Sequence, residues 1–230
     1  MKVLYKLKHL ILKLVSNIQT SGIYIMSITP NSQILFNQLE TLSQNTFVRI
    51  PLNTMKETTI TDNILSEIQL AFKESDVIEY DDTYKEKGKD DSNIKTRTCE
   101  DFGLLINDSN ENIHKLSFKA KKVYKHKKIG NVYTELDHKI GNDTEYQIDE
   151  YDEFLKKSKM DGYYIFYNGE YGDINNQTDQ DNLNGNSFWT LNESTVKDKM
   201  GPNHTTFSLT DIIKLSNHTE FLTFLKGVVQ

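Results

Sequence analysis

Two short apolar runs joined by a turn-forming loop constrain this sequence more than any other feature. Residues 99–106 and 116–123 each have the length and composition of a buried strand. The connection between them contains four good turn formers, Asn107, Asp108, Ser109 and Asn110. The sequence therefore predicts a β-hairpin with Asp101 at the start of one strand and Lys121 on the next. A carboxylate can hold a metal ion and an ammonium can steady a phosphate, so a nuclease site is one chemistry that this hairpin allows.

The rest of the chain predicts an α/β fold in which helices flank a central mixed sheet. Helices are predicted over 31–43, 58–72, 145–158, 193–200 and 209–215, extended segments over 46–52, 162–168 and 187–191, and polar loops near 73–98 and 170–186. One domain is expected over residues 27–230. Residues 1–26 are either an amphipathic N-terminal extension or an artefact upstream of a start at Met26, and the sequence leaves both alternatives open.

Composition narrows the class of protein. The net charge is -6, which argues against a protein that coats nucleic acid with its whole surface. Cys99 is the single cysteine, so no internal disulfide can form and a cytoplasmic location is expected. The first 25 residues lack an uninterrupted apolar stretch that could span a bilayer, and no membrane span is expected.

Lysines are concentrated locally, with seven between residues 115 and 128 and no acid among them. Such a run attracts phosphate backbones, and the expected nucleic-acid contacts include Lys119, Lys122, Lys125 and Lys127. The alternative is an edge strand protected from aggregation by its lysines. Alternation along the strand predicts that Ser117, Lys119 and Lys121 share one face.

Three residues could carry phosphodiester chemistry, and each has a structural alternative. Asp101 could ligate a magnesium ion, or it could be a turn residue at a strand start. Glu57 could approach the same ion, although the dipole of the following helix also favours an acid there. Lys121 could hold the scissile phosphate, or it could face solvent.

The order of these motifs resembles the PD-(D/E)XK superfamily of restriction-endonuclease-like nucleases. It is most similar to an uncharacterised bacterial branch whose lysine motif is Gln-Ala-Lys-Arg. The matching segments are a helix-borne acid at 57–62, Glu-Asp-Phe-Gly at 100–103, Phe-Lys-Ala-Lys-Lys at 118–122, a Gln-x-x-x-Tyr motif at 147–151 and a tyrosine-rich strand at 163–168.

The resemblance implies a restriction-endonuclease-like core and one or two Mg²⁺ or Mn²⁺ ions held by Asp101 and Glu57. It implies that Lys121 is the catalytic lysine, that Glu57 is an accessory acid, and that Gln147 and Tyr151 contact nucleic acid or brace the site. DNA is the favoured substrate over RNA, a homodimer is a common assembly in the family, and prokaryotic defence is the implied setting.

One position departs from the family pattern. Lys119 stands two residues before the catalytic lysine, where the family has Glu, Asp or Gln, and a cation there repels a metal ion. Three functions therefore stay open. The chain is a metal-dependent nuclease, or it is a nuclease-fold module that has lost its ion because of Lys119 and binds nucleic acid or a protein partner. If the motif order is a coincidence, the chain is an unrelated α/β interaction protein.

Overall fold

The computed structural model describes residues 23–27, 32–50, 55–71, 101–108, 110, 112–125, 132–134, 146–169, 185–200, 207–215 and 219–229. These segments contain six helices and nine strands. They are β1 Ile23–Ser27, α1 Ser32–Arg49, α2 Glu57–Ala71, β2 Phe102–Asn107, β3 Ile113–Lys122, β4 Tyr124–Lys125, β5 Val132–Thr134, α3 Gln147–Ser158, β6 Asp161–Tyr167, β7 Phe188–Asn192, α4 Glu193–Met200, β8 Phe207–Ser208, α5 Leu209–Lys214, β9 Thr219–Glu220 and α6 Phe221–Val229.

A six-stranded mixed sheet forms the centre of the described part of the chain, in the order β1-β2-β3-β6-β7-β9. β1 is parallel to β2 and β3 is parallel to β6, whereas the remaining neighbours are antiparallel. A smaller sheet has the order β4-β5-β8. The prediction of an α/β fold with a mixed sheet flanked by helices is confirmed. β1 begins at Ile23 and pairs with β2, so this strand crosses the predicted domain boundary at residue 27.

The predicted hairpin is present, with β2 and β3 paired from Phe102 opposite Phe118 to Asn107 opposite Ile113. Asp108 organises the turn, since its Oδ1 accepts hydrogen bonds from the backbone N–H groups of Asn110 and Asn112, both at 2.8 Å. The hydrogen bonds from Asn112 lower the pKa of the Asp108 carboxyl well below its usual value. The Asp108 side chain therefore stabilises the turn by accepting hydrogen bonds from two of its backbone N–H groups.

β3 lies in the middle of the sheet, between β2 and β6. The lysines near its carboxyl end do not protect an exposed edge, because Lys119, Lys121 and Lys122 are buried. α3 connects β3 to the parallel β6, as a crossover between parallel strands requires.

The helices cover both faces of the sheet. On one face the Tyr151 ring of α3 meets the Tyr164 ring of β6 edge to face, with centroids 5.8 Å apart. On the other face Phe118 of β3 packs edge to face against Phe221 of α6, and Thr61 of α2 bonds Tyr167 of β6. Buried aromatic side chains thus fill the layers between the sheet and its helices.

α1 is longer than predicted, because residues 46–49 continue the helix instead of forming an extended segment. Thr46 and Val48 favour strands by propensity, but the helix buries a continuous stripe of side chains. That stripe consists of Leu35, Leu39, Ser43, Thr46 and Ile50. Burial at helical spacing outweighs propensity here.

Two predicted features fall mostly or wholly outside the described residues, namely the polar loops near 73–98 and 170–186. The same holds for residues 1–22. Among the helices that are described, none combines the length and the apolar character needed to cross a membrane.

Candidate functional site

The candidate site lies at the carboxyl end of β3, where this strand extends past its partner β2. The last pair of the hairpin is Phe102 with Phe118, and the N–H of Asp101 still donates to the Phe118 carbonyl at 2.8 Å. Beyond this point the N–H groups of Ala120 and Lys122 face the side that β2 has left. Buried backbone donors need acceptors, and here two carboxylates supply them.

Asp101 and Glu57 are the two acceptors. Asp101 Oδ2 accepts from the Ala120 N–H at 2.7 Å, and Glu57 Oε2 accepts from the Lys122 N–H at 2.6 Å. Asp101 reaches β3 from the residue before β2, whereas Glu57 reaches it from the first residue of α2. The two carboxylates predicted from sequence therefore bind alternate residues along the same edge of β3.

The Glu57 carboxyl interacts with several charged groups of the site. Burial raises the pKa of the Glu57 carboxyl above its usual value, and the neighbouring charge of Asp101 adds to this effect. The Lys122 N–H and the ammonium groups of Lys121 and Lys119 oppose it. The raised pKa means that ionised Glu57 is held at a cost in folding free energy, as is common for functional acids.

Lys119 pairs directly with Asp101. Its Nζ lies 3.2 Å from Asp101 Oδ2, and only 9% of the Lys119 side chain and 22% of the Asp101 side chain are exposed. The predicted sharing of one strand face by Lys119 and Lys121 agrees with the β3 register, in which they pair with Tyr164 and Phe166 of β6. Lys119 is buried as an ion-pair partner instead of projecting into solvent.

Lys121 meets the start of α3. Its Nζ donates to Gln147 Oε1 at 3.0 Å, and Gln147 is the first residue of that helix. One turn later, the fully buried Tyr151 hydroxyl donates to the Ser117 carbonyl at 2.9 Å. Of the two roles expected for Tyr151, the structure supports bracing: its hydroxyl is buried against β3 and is not presented to a ligand.

Lys122 is buried, whereas the sequence predicts that it contacts nucleic acid. Its side chain is 8% exposed, and its Nζ donates to the Met55 carbonyl at 2.7 Å. Burial lowers the pKa of its ammonium, although the charge of Glu57 partly restores it. The Lys122 side chain therefore links β3 to the segment before α2 by a hydrogen bond. The side chain of Lys125 and all of Lys127 lie outside the described residues.

The fit of a divalent ion depends on Asp101 and Glu57. The described residues contain no group of three or more His, Cys, Asp or Glu side chains that could hold a metal. Magnesium needs fewer, because it keeps several waters and is commonly bound through one or two carboxylates. Each acid uses one oxygen on β3, and the other oxygen accepts no hydrogen bond from the described part of the chain. Asp101 and Glu57 fit one hydrated ion once the Lys119 ammonium has left Asp101.

Two contacts that shape the site were not predicted from sequence. The Met55 carbonyl accepts from Lys122, and Thr61 Oγ1 lies 2.8 Å from the Tyr167 hydroxyl, which fixes α2 on β6. A backbone carbonyl carries no pattern in a sequence. Thr61, in contrast, interrupts the apolar stripe of α2 between Ile60 and Ile64, and a polar residue there indicates a buried partner.

Comparison with known proteins gives one match. The model of a family of unknown function, DUF6615, matches residues 27–221. No curated protein and no solved structure matches the chain.

Proposed function

We propose that this chain, which belongs to the DUF6615 family of unknown function, is a metal-dependent nuclease that hydrolyses phosphodiester bonds in DNA. One observation carries the proposal. Two carboxylates, Glu57 and Asp101, and two ammonium groups, Lys119 and Lys121, gather at the carboxyl end of one central strand. Acids that can hold a cation beside lysines that can hold a phosphate are the groups that this reaction requires.

The fold supports a restriction-endonuclease-like core. α2 carries the first acid, the β2–β3 hairpin carries the second acid and the lysines, and α3 returns the chain to the parallel β6. This is the motif order on which the resemblance to PD-(D/E)XK nucleases rests. Fold alone does not determine function, so the proposal depends on the side chains at the strand end.

The local electrostatics suit a phosphodiester. α2 and α3 both begin beside the end of β3, since their first residues contact Lys122 and Lys121 respectively. Helix N-termini carry partial positive charge and attract anions. The Lys121 ammonium, oriented by Gln147, would contact a phosphate oxygen and stabilise the charge that develops as the phosphorus becomes five-coordinate.

Asp101 and Glu57 would hold the cation through the oxygens that β3 does not use. A bound Mg²⁺ or Mn²⁺ would polarise the phosphodiester and lower the pKa of the attacking water. The backbone bonds to Ala120 and Lys122 fix both carboxylates before any ligand arrives. Such preorganisation is what allows charged groups to lower a barrier.

Plasmid nicking tests the proposal. Purified protein is incubated with supercoiled DNA and Mg²⁺ or Mn²⁺, with RNA assayed in parallel. Asp101→Asn keeps an oxygen for the Ala120 N–H but removes the charge, and Lys121→Met removes the ammonium. Each should lower the nicking rate about 100-fold or more. Lys157→Met is the matched control, because Lys157 is an exposed lysine in the last turn of α3. Unchanged nicking by Asp101→Asn would refute the assignment.

A second function is favoured by the ion pair of Lys119 with Asp101. If this pair excludes the metal permanently, the chain is an inactive nuclease-fold module that binds nucleic acid. The wild-type protein would then cut neither substrate, yet bind DNA with an affinity that falls steeply with salt and falls further in Lys121→Met.

A further inference from the structure

The Lys119 ammonium neutralises the Asp101 carboxylate that a metal ion would use, through the oxygen that also accepts from β3. Asp101 Oδ2 is shared between the Lys119 Nζ at 3.2 Å and the Ala120 N–H at 2.7 Å. With the ammonium bound, the carboxylate already has a cationic partner, and little of the Lys119 side chain is exposed to water. A divalent ion at Asp101 must therefore compete with a cation that belongs to the protein.

The net charge of the site determines how well a divalent ion competes with the Lys119 ammonium. Glu57 and Asp101 contribute two negative charges, and Lys119, Lys121 and Lys122 contribute three positive charges, so the formal sum is +1. A cluster with a positive sum disfavours a divalent ion. A phosphodiester adds one negative charge and offers the Lys119 ammonium a second anion within reach of its flexible stem.

We propose that Lys119 is a charge-exchange residue: it neutralises Asp101 in the free protein and transfers to a bound phosphodiester, which opens Asp101 to the cation. This inference rests on the proposed function. Cation and nucleic acid then bind cooperatively, and each raises the affinity of the other by the same factor.

Calorimetric titration with Mn²⁺ alone tests the first half of the exchange, and its readout is binding, not cleavage. Lys119→Gln removes the competing charge and should bind Mn²⁺ about tenfold or more tightly than wild type, a change equivalent to about 1.4 kcal/mol. Lys119→Arg keeps the charge and should stay near wild type. Lys157→Gln removes a lysine far from the site and should have no effect. In Lys119→Gln/Asp101→Asn the gain should disappear.

The second half is tested by repeating the titrations with a short DNA duplex that carries hydrolysis-resistant phosphorothioate linkages. DNA should increase the Mn²⁺ affinity of wild type by a larger factor than that of Lys119→Gln. Thermal melts establish that each variant is folded. The inference is refuted if Lys119→Gln binds Mn²⁺ no more tightly than wild type, or if DNA acts equally on both proteins. Plasmid nicking by wild type with either of these results would retain the nuclease and reject the exchange.

Discussion

The buried hydrogen bond between α2 and β6 should respond asymmetrically to removal of its two partners. Thr61 Oγ1 donates to the Glu57 carbonyl at 3.1 Å, which uses its only proton. The hydrogen bond of 2.8 Å with Tyr167 must then be donated by the tyrosine. Tyr167 is fully buried, and burial raises the pKa of its hydroxyl well above the usual value.

Two isosteric substitutions separate the partners. Thr61→Val leaves the Tyr167 hydroxyl buried without an acceptor, and it should lower the free energy of unfolding by about 1–3 kcal/mol. Tyr167→Phe leaves Thr61 with its bond to the Glu57 carbonyl, and it should cost about 0.5–1.5 kcal/mol. Valine and threonine have similar helix propensities, so propensity does not explain the difference.

The double variant Thr61→Val/Tyr167→Phe tests this reasoning most directly. With both hydroxyls replaced by apolar groups of similar shape, no buried donor is left unpaired, and the cost should not exceed that of Thr61→Val alone. Urea unfolding measures these values, followed by circular dichroism and by the fluorescence of Trp189, which is the single tryptophan and largely buried. Coincident transitions and an unchanged dependence on urea are required for the comparison. The reasoning fails if Thr61→Val costs no more than Tyr167→Phe, or if the two costs add.

Two further predictions concern the supports of the site. Tyr151→Phe removes the hydroxyl that bonds the Ser117 carbonyl and keeps the ring, so it should lower the free energy of unfolding by about 1–3 kcal/mol in the same urea assay; a wild-type value would show that the hydroxyl contributes nothing. Glu57→Gln should raise stability at neutral pH, because burial raises the pKa of the native carboxyl and its ionisation therefore opposes folding. This gain should shrink as the pH falls through the raised pKa and vanish below the unfolded value of 4.5, and a gain that is independent of pH would contradict it.

The sequence predicted the elements whose hydrophobic spacing is regular. α4 was predicted with its observed bounds, Glu193–Met200, and the tyrosine-rich segment was identified as the central strand β6. The end of α1 was missed, because Thr46 is buried at a helical position that local propensity assigns to a strand. Propensity is a local property, whereas burial is decided by the helices that pack on α1 from distant parts of the chain.

The site was predictable only in part, because the contacts of its residues also depend on distant parts of the chain. Chemistry and motif order predict Asp101, Glu57 and Lys121, and alternation places Lys119 on the same face as Lys121, as the β3 register does. The resemblance also names Gln147 as a residue that contacts nucleic acid or braces the site, and Gln147 accepts a hydrogen bond from Lys121. The Met55 carbonyl was not predictable, because a backbone carbonyl carries no pattern in a sequence. The burial of Lys119, Lys121 and Lys122 was not predictable, because a local sequence pattern does not show which strands and helices pack around β3.

The position of β3 also explains why acids and lysines can coexist in so buried a place. A central strand that extends beyond the end of one neighbouring strand leaves backbone N–H groups without acceptors. A carboxylate is a strong acceptor for such a group. Asp101 and Glu57 meet this structural demand whether or not a metal binds. Their bonds to β3 therefore stabilise the fold as well as position the two acids, and any substitution that removes the acceptor mixes a folding defect with a chemical one. Asp101→Asn and Glu57→Gln keep the acceptor and remove the charge, but Asp101→Asn also leaves the buried Lys119 ammonium without its carboxylate. Loss of activity in these variants is attributed to the charge when their thermal melts match that of the wild type.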